Sequence, residues 1–418
     1  MKKWEEKQLG EIADIKTGPF GSVLHACDYV IVGTPIITVE HLGDYSITRQ
    51  NLPLVSDIDK YRLSAYTLNK GDIVFSRVGS VDRNAYVTEN EDGWLFSGRL
   101  LRIRIFENEA VDARYLSYYF KFEATKARIC SVAVGQTMAS LNTKIMKDFI
   151  VEYPPLPEQR RIAKALSDTD KLIATLEELI TKKHAIKQST MQELLTGKRR
   201  LPEFSGEWRT TILGDLCNVL NGYAFQSATY VSNGKYRIIT ISNVQQGYLE
   251  LSDCVTIKQL PNNIQPYQML KIGDILISLT GNVGRTCKIT AHDLLLNQRV
   301  GLISNYKCDR DFLYYTLQST NFVNTMILSA KGGAQPNLSN KDIYEYEVKI
   351  PPTTAEQTAI ASILSDMDVE INTLSVKLNK LRNIKQGMMS ELLTGHIRLV
   401  EQDDKEHSQL SKRANQNE

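Results

Sequence analysis

Two stretches of this chain repeat the same side chains every seven positions. In the first, Leu166, Ile173, Ile180, Lys187 and Leu194 form one row, and Ile162, Thr169 and Leu176 supply the alternate row. In the second, the rows are Leu364, Ile371, Leu378, Lys385 and Leu392, and Ile360, Met367, Leu374, Leu381 and Met388. A 3.5-residue period held over about five heptads predicts a coiled-coil helix. The two seams share one phase, since 360 − 162 and 364 − 166 both equal 198. Helices with matching seams and equal lengths pack most simply on each other, and the short linker after the first makes the pair antiparallel. About 39 residues at 1.5 Å each gives roughly 58 Å.

Outside these helices the pattern shifts to short strand-like runs, and it does so twice. Leu9 to Ile15 is amphipathic, and a turn follows at Thr17 to Ser22. Runs at Pro35–Val39, Asp72–Phe75 and Leu100–Ile105 are rich in β-branched and large apolar residues and predict strands. Asp112 can cap a helix carrying Tyr115, Leu116, Tyr119 and Phe120 on one face. Arg237–Ile241, Asp274–Ser278 and a helix over Asp311–Leu317 answer these in the second half. The copies are also literal in places. Trp4 and Leu9-Gly10-Glu11-Ile12 return as Trp208 and Leu213-Gly214-Asp215-Leu216. Glu193-Leu194-Leu195-Thr196-Gly197 returns as Glu391-Leu392-Leu393-Thr394-Gly395. A period of about two hundred residues is a duplicated domain plus helix, not a solenoid. Strands and helices mix without strict alternation, which predicts an α+β class for each globular unit with a mostly antiparallel or mixed sheet.

Boundaries are marked by proline and glycine. Pro154-Pro155 and Pro351-Pro352 close the globular units, and Pro157 suits a first helical turn. Thr353 and Glu356 predict a capping box, and Gly197 and Gly395 predict left-handed helix ends. The polar tail after Val400 has no pattern and is expected to be disordered. The expected organisation is 1–153, a first globular unit; 154–200, a first helical region; 201–350, a second unit; 351–400, a second helical region; and 401–418, a tail.

Composition changes this picture little. A net charge of +2 argues against a protein that coats nucleic acid by bulk charge, though not against one that reads it with local arginines. The six cysteines show no C-x-x-C pair and are expected to be buried free thiols. No signal peptide opens the sequence and no run of about 18 apolar residues occurs, so a soluble, cytoplasmic protein without membrane association is expected. No phosphate-binding glycine loop, dinucleotide fingerprint or metal-spaced histidine pair is found. That absence favours a binding protein without a catalytic or metal site of its own.

The chemistry that remains sits in one loop per unit. Gly71-Asp72-Ile73 leads through Ser76, Arg77 and Gly79 to Arg83. Gly273-Asp274-Ile275 leads through Ser278, Thr280, Gly281 and Asn282 to Arg285. The shared frame is G-D-I-x-x-S-x-x-G-x-x-x-R. Arg99 recurs as Arg299 beside Gln298. Arginine reads guanine bidentately and Asn or Gln reads adenine. The expected DNA-binding residues are therefore Ser76, Arg77, Gly79, Arg83 and Arg99 in one unit, and Ser278, Thr280, Asn282, Arg285, Gln298 and Arg299 in the other. Thr38–His41 and Thr240–Asn243 form a second polar strand end. Gly135-Gln136 and Gly333-Ala334-Gln335 are further contact or hinge loops.

These elements resemble the specificity subunit of type I restriction-modification systems over about residues 1 to 400. The likeness is carried by Pro154-Pro155-Leu156-Pro157-Glu158-Gln159 with Ile162-Ala163, and by Met191 to Lys198 running through Leu201-Pro202 to Trp208. Glu356-Gln357 and Glu391 to Gly395 complete the duplicate, which departs at Thr353-Thr354, where the first copy has Leu156-Pro157. The resemblance implies two target-recognition domains, each reading half of a split double-stranded DNA site, joined by an antiparallel coiled coil in a pseudo-two-fold tandem repeat. It implies two adenine methyltransferase subunits along the helices, supplying S-adenosylmethionine binding and catalysis. It implies a motor-nuclease subunit using ATP and Mg2+, with no cofactor on this chain. Two other readings stay open: a specificity subunit of a modification-only or differently organised system, and a coiled-coil scaffold whose globular ends bind proteins.

Overall fold

The computed structural model describes residues 4–19, 23–135, 138–330 and 336–399. The turn residues Phe20–Ser22, the loop residues Gln136 and Gly333–Gln335, and the tail 401–418 lie outside the described residues. Contacts divide the chain into two units, Met1–Glu178 with Val376–Glu418, and Leu179–Ser375. Both divisions fall inside the long helices, not at the proline pairs.

In the first unit, four antiparallel strands form the sheet Ala13–Thr17, Leu100–Ile105, Ile73–Ser76, Asn84–Tyr86. A second sheet orders Tyr29–Val30, Leu54–Val55, Thr34–Ile37 and Leu95–Phe96, with one parallel pairing, Ile36 to Leu95. A ribbon of Glu5–Gln8 on Ile150–Tyr153 ties the start of the unit to its exit. The second unit repeats this plan. Asn218–Asn221, Val300–Ser304, Ile275–Ser278 and Thr286–Lys288 make its first sheet. Tyr236–Ile239 lies parallel to Leu294–Leu296 in its second, and Arg209–Ile212 pairs with Glu347–Ile350. The mixed sheets match the α+β expectation.

Each first sheet is buried by a capped helix. Asp112 accepts the Tyr115 amide at 2.9 Å and starts Ala113–Lys121, whose Tyr115, Leu116, Tyr119 and Phe120 are all buried. Its counterpart Arg310–Gln318 begins one residue earlier than expected, capped by Asp309, which accepts the Phe312 amide at 2.8 Å.

The long helices run Leu156–Leu194 and Thr354–Leu392. They are parts of the cores, not appendages. Ile162, Leu166, Leu392 and Leu393 belong to the first unit's main apolar cluster, and Leu194, Leu195, Ile360 and Leu364 to the second's. Fully burying one such side chain contributes roughly 1.5–3 kcal/mol. Within the first unit Asp170 meets Lys385 at 2.6 Å and Glu177 meets Arg382 at 2.6 Å. Within the second, Asp368 meets Lys187 at 2.5 Å and Glu370 meets Lys183 at 2.7 Å. As one number rises the other falls, so the paired segments run in opposite directions in each unit. The two heptad lysines face a carboxylate across the seam, and Tyr118 and Tyr315 donate to the same carboxylates at 2.7 and 2.8 Å. Burial, reinforced by the adjacent aspartate, pushes both phenols far above their usual range.

The signature dipeptide Glu-Gln now has a physical account. Glu158 is almost fully buried and receives Arg398 bidentately, at 2.8 and 2.7 Å, plus the Leu399 amide. Glu356 is fully buried and receives Arg200 at 3.0 and 2.7 Å and the Trp208 indole at 3.2 Å. Each glutamate thus clasps the chain leaving the other long helix. The capping box at Thr353 is correspondingly only half made: Thr353 accepts the Glu356 amide, but the Glu356 side chain is held elsewhere. Gln159 accepts the Asp112 amide and donates to Pro154, and Gln357 does the same for Asp309 and Pro351. Gly197 and Gly395 are left-handed, with φ of 71° and 75°. A Cβ on Gly395 would also sit 3.0 Å from the Trp4 ring, a tight contact that adds to the backbone's preference for glycine there.

The cysteines depart from expectation. Cys217 and Cys287 are buried, and burial pushes their thiols up to about 12, but Cys27 and Cys130 are exposed.

Arg200→Met leaves the fully buried Glu356 carboxylate without its cation. Removing one member of such a pair strands the buried carboxylate and destabilises the fold, less than in a wholly buried pair because the Arg200 side chain is 27 % exposed. Urea unfolding followed by tryptophan fluorescence should show the loss. Arg200→Lys should recover only part of it, because an ammonium cannot make the two-pronged contact. A midpoint shift worth less than about 0.5 kcal/mol, the size of an ordinary surface substitution, would show that the clasp is dispensable.

Candidate nucleic-acid interface

The repeated G-D-I frame is first of all a way of folding a loop. Gly71 and Gly273 take φ of 97° and 89°, which turns the chain into the strand. Asp72 is buried, accepts the Asn69 amide, and is held by Arg104 at 2.7 and 2.6 Å. Asp274 accepts the Lys271 amide in the same way. At the far end, the Ser76 hydroxyl donates to the Arg83 carbonyl at 3.0 Å and accepts the Arg83 amide at 3.1 Å. Ser278 accepts the Arg285 amide at 3.0 Å and donates to Asn282. Both serines are fully buried. They latch the loop from inside, which corrects their assignment as DNA contacts: a hydroxyl spent on the main chain beneath the surface cannot meet a duplex.

The arginines that follow are tethered. Arg83 donates to the Leu42 carbonyl, and Arg285 to the Gln245 side chain at 2.6 Å. Both are half-buried. Arg77 is half-buried and reaches the Gly98 carbonyl at 3.5 Å. The second polar strand ends are internal turns. His41 Nδ1 lies 3.1 and 2.9 Å from the Thr38 amide and hydroxyl, and Asn243 accepts from the same two groups of Thr240 at 2.9 and 2.8 Å. His41 and Asn243 are buried.

Gly79, Arg99, Asn282, Gln298 and Arg299 are exposed. Gly79 and Gly281 are left-handed, with φ of 83° and 73°, and their amides bond the Ala139 and Pro336 carbonyls at 2.9 Å. This brings a segment distant in sequence against each loop. In the second unit the result is an open groove of about 590 Å³, in which Thr280, Gln298 and Arg299 meet Asn221, Asn337 and Asn340. Thr280 donates to Asn337 at 3.1 Å, and Asn340 donates to the Val219 carbonyl at 3.2 Å. Among the described residues the side chains of Arg99, Arg299, Gln298, Asn282 and Asn221 have no hydrogen-bonding or ionic partner. Asn221, Asn337 and Asn340 escaped the sequence reading. The available signal was a faint repeat, Ala139-Ser140-Leu141-Asn142 against Pro336-Asn337-Leu338-Ser339.

A different basic cluster lies in the first unit, in a cavity of about 440 Å³ lined by Arg83, Lys121, Lys126, Arg382 and Lys385. Its charges are largely matched. Arg382 and Lys385 are paired with Glu177 and Asp170, and Asp44, Asp82 and Glu123 line the same space. Lys121 donates to the Asp44 carbonyl. Burial, with Lys385 nearby, lowers its ammonium to about 8. Among the described residues no group of three or more histidine, cysteine, aspartate or glutamate side chains is placed to hold a metal ion, and no helix is long and apolar enough to cross a membrane.

Residues 1–188 and 205–383 each match the type I restriction modification DNA specificity domain. A putative type I restriction enzyme MjaX specificity subunit of Methanocaldococcus jannaschii is 28% identical over 416 residues, covering 95% of this chain and 94% of that protein. The MjaVIII specificity subunit of the same organism is 26% identical over 418 residues, covering 95% and 93%. The crystal structure of a type I restriction-modification system S subunit from M. genitalium aligns with a TM-score of 0.61 at 16% identity. It covers 93% of this chain and 96% of its own, and so shares the fold. With two domain matches that together span most of its length, this chain belongs to the type I restriction-modification DNA specificity family.

Proposed function

We propose that this chain is the DNA-specificity subunit of a type I restriction-modification complex, each unit reading one half of a bipartite, asymmetric site. The observation that carries this is the duplicated loop scaffold: one backbone design, built twice, with different side chains left exposed at its rim. Two recognition surfaces of unlike chemistry suit two unlike half-sites. In this reading the long helices form an antiparallel coiled coil in a pseudo-two-fold tandem repeat and set the spacing between the half-sites. They also dock two adenine methyltransferase subunits. In support, each unit leaves apolar helix side chains in solvent: Leu172, Val376 and Ile384 in the first, Leu179, Ile186 and Val369 in the second. Leu172, Leu179 and Ile186 are seven apart, as are Val369 and Val376, so each helix carries an exposed apolar stripe of the kind a partner protein covers.

The chemistry then lies on the partners. S-adenosylmethionine belongs to the methyltransferase subunits, and ATP and Mg2+ to a motor-nuclease subunit, all in the cytoplasm where the DNA is. The pure chain should transfer no methyl groups from S-adenosylmethionine to DNA. With its methyltransferase partners it should methylate adenines in a two-part motif, read by sequencing the modified bases. Reproducible methyl transfer by the chain alone would overturn the non-catalytic assignment, and a complex without sequence preference would overturn the specificity role.

The spacer role has its own test. One extra heptad in both helices, between Leu176 and Ile180 and between Leu374 and Leu378, keeps the seam intact. It adds roughly 10 Å, close to three base pairs. DNA turns by about 100° over that length, whereas the seam drifts only about 20° per heptad. Methylation of the native motif should collapse, and any recovered motif should keep both half-sites with a longer spacer. Full methylation of the native motif by the folded insertion variant would show that the helices are not the ruler.

A further inference from the structure

The two units build the same scaffold around different side chains, and that separates two kinds of contact. Arg77 N bonds Arg99 O as Leu279 N bonds Arg299 O, both at 3.0 Å. Leu141 N bonds Arg77 O as Leu338 N bonds Leu279 O, both at 2.8 Å. On this frame the positions correspond one to one. Thr17 lies opposite Leu101 where Asn221 lies opposite Gly301. Gly98 precedes Arg99 where Gln298 precedes Arg299. Ser140 bridges Val78 where Asn337 bridges Thr280. The arginine is common to both units and exposed in both. Around it the first unit has threonine, glycine and serine, and the second has three amides.

Two readers of different half-sites share a need for phosphate contacts but not for base contacts. Phosphate contacts fix register and carry no sequence information, and arginine is suited to them. Asn and Gln pair bidentately with adenine through N6 and N7. The exposed amides of Asn221 and Gln298 have no partner among the described residues. The Asn337 oxygen accepts from Thr280 and keeps a second lone pair, and its NH2 group is left to donate. We propose that Arg99 and Arg299 are the sequence-independent phosphate anchors of the two units. We further propose that Asn221, Gln298 and Asn337 read base edges, adenine foremost, in the second unit's half-site only. This rests on the DNA-reading function proposed above.

The test uses the full chain assembled with its methyltransferase partners, on DNA carrying the motif that the parent complex methylates. Arg299→Ala should weaken binding to the native site and to every single-base variant by the same factor. It should also lower the slope of log affinity against log salt by about one. The triple exchange Asn221→Thr, Gln298→Gly, Asn337→Ser should instead relax discrimination at A·T positions of one half-site, by roughly tenfold to a hundredfold. The other half should be read as before, which also shows that the variant is folded. Gln298→Ala alone, at an exposed position, decides the matter if the triple variant does not fold. A base preference altered by Arg299→Ala overturns the anchor assignment. A motif left intact by the amide exchange overturns the reader assignment. A parent complex that yields no bipartite motif removes the functional reading itself, a result distinct from either.

Discussion

Each unit depends on one buried carboxylate at the start of a long helix. Glu158 and Glu356 sit where water cannot solvate them, so each needs a cation with fixed geometry, and each receives one from the chain leaving the other helix. That single bidentate contact aligns three things. It fixes where one helix begins, where its neighbour ends, and how the tryptophan and glycine beside that end are packed. The adjacent glutamine then carries the alignment outward to the cap of the domain helix, and hence to the sheet that bears the exposed loop. The exposed loop is thus indexed to the helix pair through a short series of hydrogen bonds.

The aspartate–lysine pairs farther along the seam do related work at some cost in stability. A lysine in an apolar row is disfavoured unless a carboxylate waits opposite, so only one sliding position of the two segments satisfies it. The tyrosine that donates to the same aspartate comes from the domain helix. Register of the helix pair and attachment of the domain are therefore set by one three-membered cluster in each unit.

Much of this architecture was legible in the sequence because it rests on periodicity and on residues with narrow conformational roles. Heptad rows, an aspartate cap and two left-handed glycines state local rules, and the structure obeys them; the proline pairs mark where the long helices start, not where the units divide. The buried clasps were not legible, since Glu356 three residues after Thr353 satisfies a local capping rule equally well, and its true partner lies 156 residues away. The loop serines illustrate the same limit. A serine between glycine and arginine reads as a surface donor, yet Ser76 and Ser278 turn inward to close the loop. Asn337 was invisible because the segment that carries it reaches the groove through tertiary hydrogen bonds, Gly281 to Pro336 and Leu338 to Leu279 among them. The exposed Cys27 and Cys130 show that composition alone sets no thiol's burial.

The separation of latch from rim has an evolutionary consequence. The serine, the glycines and the main-chain bonds hold the loop whatever side chains stand at positions 17, 98 and 140, or at 221 and 298. Exposed substitutions that break no such bond typically change stability by less than about 0.5 kcal/mol. Mutation can therefore wander among rim side chains with little penalty in folding, while the clasps and seam beneath stay under strict constraint. A protein built this way can change the chemistry of its rim without rebuilding its fold.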